Sequence, residues 1–177
     1  ATGVKISVND WVMKAVAMAL IEVPDANVIW TDDALRYFDR ADIAVAVSVE
    51  GGLLTPVIRG VESMSLTQIN AEVSRLAAKA REGKISQAEI EGGSFSVSNL
   101  GMYGTDSFQA ILNPPQSGIL AVGAAREAVL AKDGGLIAGP VMTVNLSADH
   151  RAVDGALAAQ WMKAFRHFIE NPMALLA

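Results

Sequence analysis

The sequence predicts an α/β fold, a mixed β-sheet packed with helices. Three observations carry that expectation. Three segments space apolar residues at helical period, several short runs are almost wholly apolar, and Gly or Pro punctuates the joins. The 177 residues suffice for one sizeable core, so a single domain is expected.

Residues 7–23 read as a helix: Ser7 is placed to cap it, Asp10 suits the first turn, and Pro24 lies just past the end. Val12, Val16, Ala19, Leu20 and Val23 share a face that Trp11, Ala15 and Met18 widen. "NVIW" reads as a short strand, and residues 41–49 as a strand buried on both faces, being nearly continuous and apolar. Glu50, Gly51 and Gly52 supply a turn. "LLTPVI" then resumes extended structure, with Pro56 implying an edge or a bulge. Residues 66–82 form an amphipathic helix, with Leu66, Ile69, Val73, Leu76 and Ala80 on one side and Gly83 as its stop. Ser86 and Glu89 have capping-box spacing. "SFSVSNL" alternates as a strand does. "GILAVGA" and "VMTVNLS" are two more apolar strands, separated by a turn at "KDGG". Residues 155–170 make a closing helix, stopped near Pro172. The expected inventory is about three helices and five to seven strands.

Composition excludes several classes. With 51% hydrophobic and 19% charged residues, the chain is no disordered polymer. No apolar stretch reaches the roughly 20 residues that span a bilayer, and neither a secretory nor an Arg-rich transit segment opens the sequence. The absence of cysteine removes disulfides, protein thiolates and Cys-ligated metals. A net charge of −5 without a basic stripe argues against nucleic acid. Rich apolar content with few aromatics points to surface buried between subunits, although abundant Ala and Val account for much of it.

Two histidines are present. His167 lies beside Phe168 in the last helix and reads as an ordinary helical residue. His150 stands between Asp149 and Arg151, just after an apolar strand and just before a helix. Two histidines do not furnish a ligand set, so no metal is expected. No Gly-x-Ser-x-Gly elbow occurs, and none of "EGGL", "EGGS" and "KDGGL" has Walker or Rossmann spacing.

What remains is "SADHRAVDGALAAQWM", with "GGSFSVSNLGMYG" and "AILNPPQSGILAVG". The first resembles the active-site signature of the acyltransferase (E2) components of 2-oxo acid dehydrogenase complexes. "ISVNDWVMKAVAMAL", "VPDANVIW", "DIAVAVSVEGGLLTPVI", "AREGKIS" and "IENPMALL" extend that resemblance, in order, over nearly the whole chain. "NPPQSGILAVGA" is more similar to pyruvate-type members, so acetyl is the acyl group implied. The resemblance implies a chloramphenicol-acetyltransferase-like fold and a catalytic domain expected to lack its N-terminal segment. Neither a lipoyl nor a peripheral-subunit-binding domain is found in these 177 residues.

The resemblance also assigns roles. His150 becomes the base that takes the proton from the coenzyme A thiol, its second ring nitrogen held by a nearby backbone carbonyl. Ser98 becomes the hydroxyl that steadies the tetrahedral oxyanion, a turn-capping serine being the plainer alternative. Asn99 and Gly101 shape that turn. Asp154 joins the site as a buried carboxylate, held by an arginine, that fixes the head of the final helix or caps its amides. Gly155 allows close backbone approach there, and Arg151 pairs with a carboxylate across a subunit contact or stands in solvent. Coenzyme A enters as substrate, the lipoyl group rides on a separate upstream domain, and no metal takes part. The implied partners are a homotrimer building a cubic or dodecahedral core, the lipoyl domain, and the E1 and E3 components. Met173, Leu175 and Leu176 are expected to anchor trimer to trimer, or else to fold on their own subunit. The implied compartment is the bacterial cytoplasm or the mitochondrial matrix, the former favoured. A free-standing chloramphenicol-type acetyltransferase and a catalytically silent scaffold subunit remain as rival readings.

Overall fold

The computed structural model describes residue 3, residues 5–132 and residues 134–175. Helix α1 (Val8–Glu22) begins at a reciprocal cap: the Ser7 hydroxyl accepts from the Asp10 amide, and the Asp10 carboxylate accepts from the Ser7 amide at 2.7 Å. Such a cap is worth about 1 kcal/mol. Asp10 is buried yet satisfied, because Asn70 Nδ2 of α2 (Leu66–Arg81) also donates to it at 2.8 Å. Val12, Met13, Val16 and Leu20 are fully buried, and α1 packs against both α2 and α4 (Gly155–Glu170). The buried Lys14 ammonium donates to the carbonyls of Glu62 at 2.6 Å and Met64 at 2.9 Å. Burial pushes its pKa down, against the pull of the Glu62 carboxylate.

Five strands form the central sheet: β3 (Ile43–Val45), β6 (Val57–Ile58), β7 (Phe95–Asn99), β8 (Gly118–Val122) and β11 (Val144–Ala148). Their order is β11-β8-β7-β3-β6. The three middle strands run parallel and the two outer ones antiparallel to them. Alternation decides the layers. Ile43, Val45, Phe95, Val97, Leu120 and Val122 join the core beneath the helices, where Trp161 packs 4.7 Å from the Phe95 ring and 5.7 Å from Phe165. Ser96, Ser98, Ile119, Ala121, Asn145 and Ser147 project from the opposite face. Over that face runs the segment 105–113, held by Asn145 Nδ2 donating to the Phe108 carbonyl at 2.7 Å and Ser147 Oγ donating to that of Ala110, also at 2.7 Å.

Two expectations need correction. The single strand expected at residues 41–49 breaks at Ala46, whose amide donates to the Val97 carbonyl. Before the break the chain belongs to the central sheet. After it, β4 (Val47–Val49) peels away to pair with β5 (Gly52–Leu54). Elsewhere, β1 (Val28–Trp30) and β2 (Leu35–Tyr37) make a second small hairpin, and Ser86 opens only the four-residue α3 (Gln87–Ile90). The second correction is larger. Between "GILAVGA" and "VMTVNLS" stands an unforeseen hairpin of β9 (Arg126–Lys132) and β10 (Gly135–Val141). Apart from Arg126 at its base, which pairs with Asp106 and donates to the Gly104 carbonyl, it is largely exposed along both strands; neither face carries a burial pattern, and Val129 and Leu136 are 72% and 78% exposed. In the tail, Leu175 is buried on its own subunit, as the second of its two expectations has it, and Met173 is exposed, while Leu176 lies outside the described residues.

Candidate functional site

Strand register locates the expected residues. Ser98 pairs with Ala121, which pairs in turn with Asn145. Ala148 pairs with Gly118, three rungs toward the other end of the sheet, and His150 lies two residues beyond it. Three rungs span about 10 Å, and the two strand spacings between β7 and β11 add about 10 Å sideways. Ser98 and His150 of one chain therefore stand at opposite ends of the sheet, far outside hydrogen-bond reach. Asn99 and Gly101 keep Ser98 company; Arg151, Asp154 and Gly155 keep His150 company.

At the Ser98 end, β7 runs into a tight turn. Asn99 Oδ1 accepts from the Gly101 amide at 2.9 Å, and Asn99 Nδ2 donates to Asn9 Oδ1 at 3.2 Å, tying the turn to the start of α1. A Cβ at Gly101 would stand 2.9 Å from the Gly123 carbonyl oxygen, so glycine is what lets the two backbones meet. Asn99, not Ser98, caps this turn. The half-buried Ser98 makes no hydrogen bond through its hydroxyl among the described residues, leaving Oγ free to donate outward.

At the His150 end, β11 stops and the chain turns into α4. The Asp149 amide donates to the Ser117 carbonyl at 2.8 Å, and the Asp149 carbonyl accepts from the amides of Ala152 and Val153 at 2.9 Å each. His150 stands at the apex of this turn, exposed. Nothing among the described residues hydrogen-bonds its ring, the expected backbone acceptor included. Asp154 is exposed rather than buried, and among the described residues no arginine holds it. It caps α4 instead, Oδ1 accepting from the Leu157 amide at 2.8 Å. Gly155 has open space where a Cβ would stand, so the expected close approach is absent from this chain. Arg151 stands largely in solvent, the second of its two expectations, and pairs within its own turn. Its guanidinium grips the neighbouring Asp149, with Nη2 to Oδ2 at 2.7 Å and Nε to Oδ1 at 3.0 Å, and rests 5.7 Å above the Trp30 ring. That grip holds the Asp149 carboxyl below the usual carboxylate range and raises the guanidinium in turn.

Sequence reasoning passed over Asn9, Ser117 and Trp30, which fix the two ends from distant segments. Asp149 had a local signal, since its partner Arg151 is two residues away. Asn9 and Trp30 had none.

Comparison with known proteins places the chain in a family. Residues 1–177 match the catalytic domain family of the 2-oxoacid dehydrogenases acyltransferases. The pyruvate dehydrogenase complex dihydrolipoyllysine-residue acetyltransferase component of Rickettsia bellii is 49% identical over 97% of this chain, which spans 41% of that protein. The chain thus covers about two fifths of that relative's length. The cubic core of a pyruvate dehydrogenase multienzyme complex superposes with a TM-score of 0.90 at 36% identity, over 99% of this chain and 73% of that one. Azotobacter vinelandii dihydrolipoamide acetyltransferase, studied for a serine, a histidine and an asparagine in its catalytic mechanism, superposes equally well at 37% identity, over 99% of this chain and 73% of its own. In that protein the serine precedes the histidine by fifty-two positions and the asparagine follows it by four, the separations of Ser98, His150 and Asp154 here. A chloramphenicol acetyltransferase shares the fold, with a TM-score of 0.58 at 17% identity over 92% of this chain and 78% of that one. This chain belongs to the 2-oxoacid dehydrogenase acyltransferase catalytic domain family.

Proposed function

We propose that the chain transfers an acetyl group from acetyl-dihydrolipoamide to coenzyme A, as the core of a pyruvate dehydrogenase complex. The observation that carries this reading is the shared spacing of serine, histidine and the residue four beyond it in the Azotobacter vinelandii acetyltransferase, within a common backbone. A thiol has a pKa near 8.5 and an imidazole near 6.5, so at neutral pH the thiol needs a base. His150 takes the thiol proton as sulfur attacks the thioester carbon. Ser98 donates a hydrogen bond to the oxyanion that forms. Collapse expels the dihydrolipoyl sulfur, which receives the proton back from the imidazolium, and acetyl-coenzyme A leaves. Asp154 supports the step by capping the helix behind the base, in the position where the Azotobacter protein has asparagine.

Because one chain holds Ser98 and His150 at opposite ends of its sheet, the site is assembled between copies, Ser98 from one and His150 from its neighbour. A homotrimer, built into a cubic or dodecahedral core, supplies such a contact. The exposed apolar hairpin, with Val129, Leu136 and Ile137, fits burial against a second copy. The lipoyl domain and the E1 and E3 components are the remaining partners, and the bacterial cytoplasm is the compartment.

The test offers the purified protein acetyl-dihydrolipoamide with coenzyme A and, separately, acetyl-coenzyme A with chloramphenicol. Transfer to coenzyme A is expected, falling ~10²–10⁴-fold in His150→Ala while the native mass stays unchanged. Acetylation of chloramphenicol alone overturns the reading, and so does undiminished turnover in that variant.

A further inference from the structure

We propose that Asp149 and Arg151 form a clamp for the base: together they hold the apex of the turn with the His150 ring outward, and each cancels the other's charge beside it. The inference deepens the reading of His150 as the base and rests on it. Asp149 is fixed at both of its backbone polar groups, by Ser117 below and by Ala152 and Val153 ahead. Its carboxylate is fixed as well: Oδ1 accepts from the Arg151 amide at 3.1 Å, and the guanidinium bridges both oxygens. Arg151 is steadied in turn by the Trp30 ring of β1, an element that reaches this corner from far away in sequence. The residue between them is left exposed at the apex of a turn whose two flanks are bonded to each other. A planar guanidinium fork meets a carboxylate along two parallel directions while its face stays over an aromatic ring; a lysine ammonium is a point charge without that fixed geometry.

The charges matter as much as the shape. A lone carboxylate next to an imidazole favours its protonated form, which is no base; a lone guanidinium favours the neutral form but weakens its pull on a proton. Paired, the two fields largely cancel at the ring. The Asp149 side chain is only 17% exposed against 65% for Arg151, so the carboxylate lies mostly under its partner. Among the described residues, two further acidic groups belong to this corner: Asp154, the cap of α4, and Asp32 of the β1–β2 turn, whose charge acts on Arg151. Loss of Arg151 would therefore remove the cation that offsets them.

Two histidines make the test direct, since His167→Gln leaves one ring to follow by NMR. In the assembled protein, Arg151→Gln is expected to raise the ring's titration midpoint by about half a pH unit and Asp149→Asn to lower it similarly, the size that one charge a few ångströms away produces in a water-like dielectric. The double variant returns close to the starting value. The acid limb of the rate profile moves with the midpoint in each case. Arg151→Lys keeps the midpoint but lowers kcat several-fold with little change in KM for coenzyme A. Single variants that shift the midpoint in the same direction, or not at all, overturn the clamp. So does full turnover in Arg151→Lys. If the unaltered protein transfers no acetyl group, the reading of the reaction fails instead, and the NMR titration still decides the clamp.

Discussion

The two ends of the sheet are held in place by different physics. Around Ser98 the parts are neutral and tightly fitted: an asparagine pair, two glycines and backbones in contact. Around His150 the parts are charged and the space is open: an ion pair against a tryptophan face, a carboxylate cap and a glycine with nothing near it. A hydroxyl that must meet an oxyanion needs its position fixed, and packing does that. A base must keep a proton affinity as well as a position, and only charges tune that.

The contrast sets out four tests. Ser98→Ala leaves stability alone but lowers kcat ~10²–10³-fold, as removal of one oxyanion donor does; steady-state rates with coenzyme A at saturation check it. Gly123→Ala should destabilise the Ser98 end by about 1–3 kcal/mol, read as a shifted urea midpoint, because its new Cβ would fall well inside contact distance of the Asp106 carbonyl oxygen. An unshifted midpoint would mean that this end is not fixed by packing. Acid should separate the ends. The folded-state pKa of Asp149 lies below its ordinary value of 3.8, so the stability it contributes is present above that value and is lost as pH falls below it. The amides of Arg151 and Ala152 should then exchange faster, while those of the Ser98 turn, held by the Asn99 side-chain amide and by backbone carbonyls, hold their protection. Hydrogen exchange followed from pH 5 to pH 3 reports both ends at once, and simultaneous loss would erase the distinction. The smallest effect belongs to Gly155→Ala, which meets open space at the head of α4 and should stabilise by roughly 0.5 kcal/mol.

How far the sequence could be read varied with the range of the forces involved. The outer helices were legible to within a residue or two, because caps and apolar spacing act over one or two turns: Ser7 with Asp10, Gly83 after Arg81, Asp154 before Leu157. The β9–β10 hairpin was not legible. It buries neither face in its own chain, so no alternation marked it, and "KDGG" alone gave only its turn. The break at Ala46 was hidden for a related reason: strands in two different sheets carry the same apolar residues. His150, Ser98 and Asp154 were found through resemblance to a known family, not through any local rule. Asp154 then proved to be an exposed cap instead of a buried carboxylate.

The order of residues by itself determined where the long helices begin and end, which segments of the central sheet are apolar, and that one histidine sits at a strand-to-helix corner. Only the tertiary structure decided that the serine and the histidine lie at opposite ends of one sheet, and that Trp30 and Asn9 come to brace them. Capping and periodicity are settled among near neighbours along the chain, whereas ladder register and the meeting of distant segments depend on how the whole core closes.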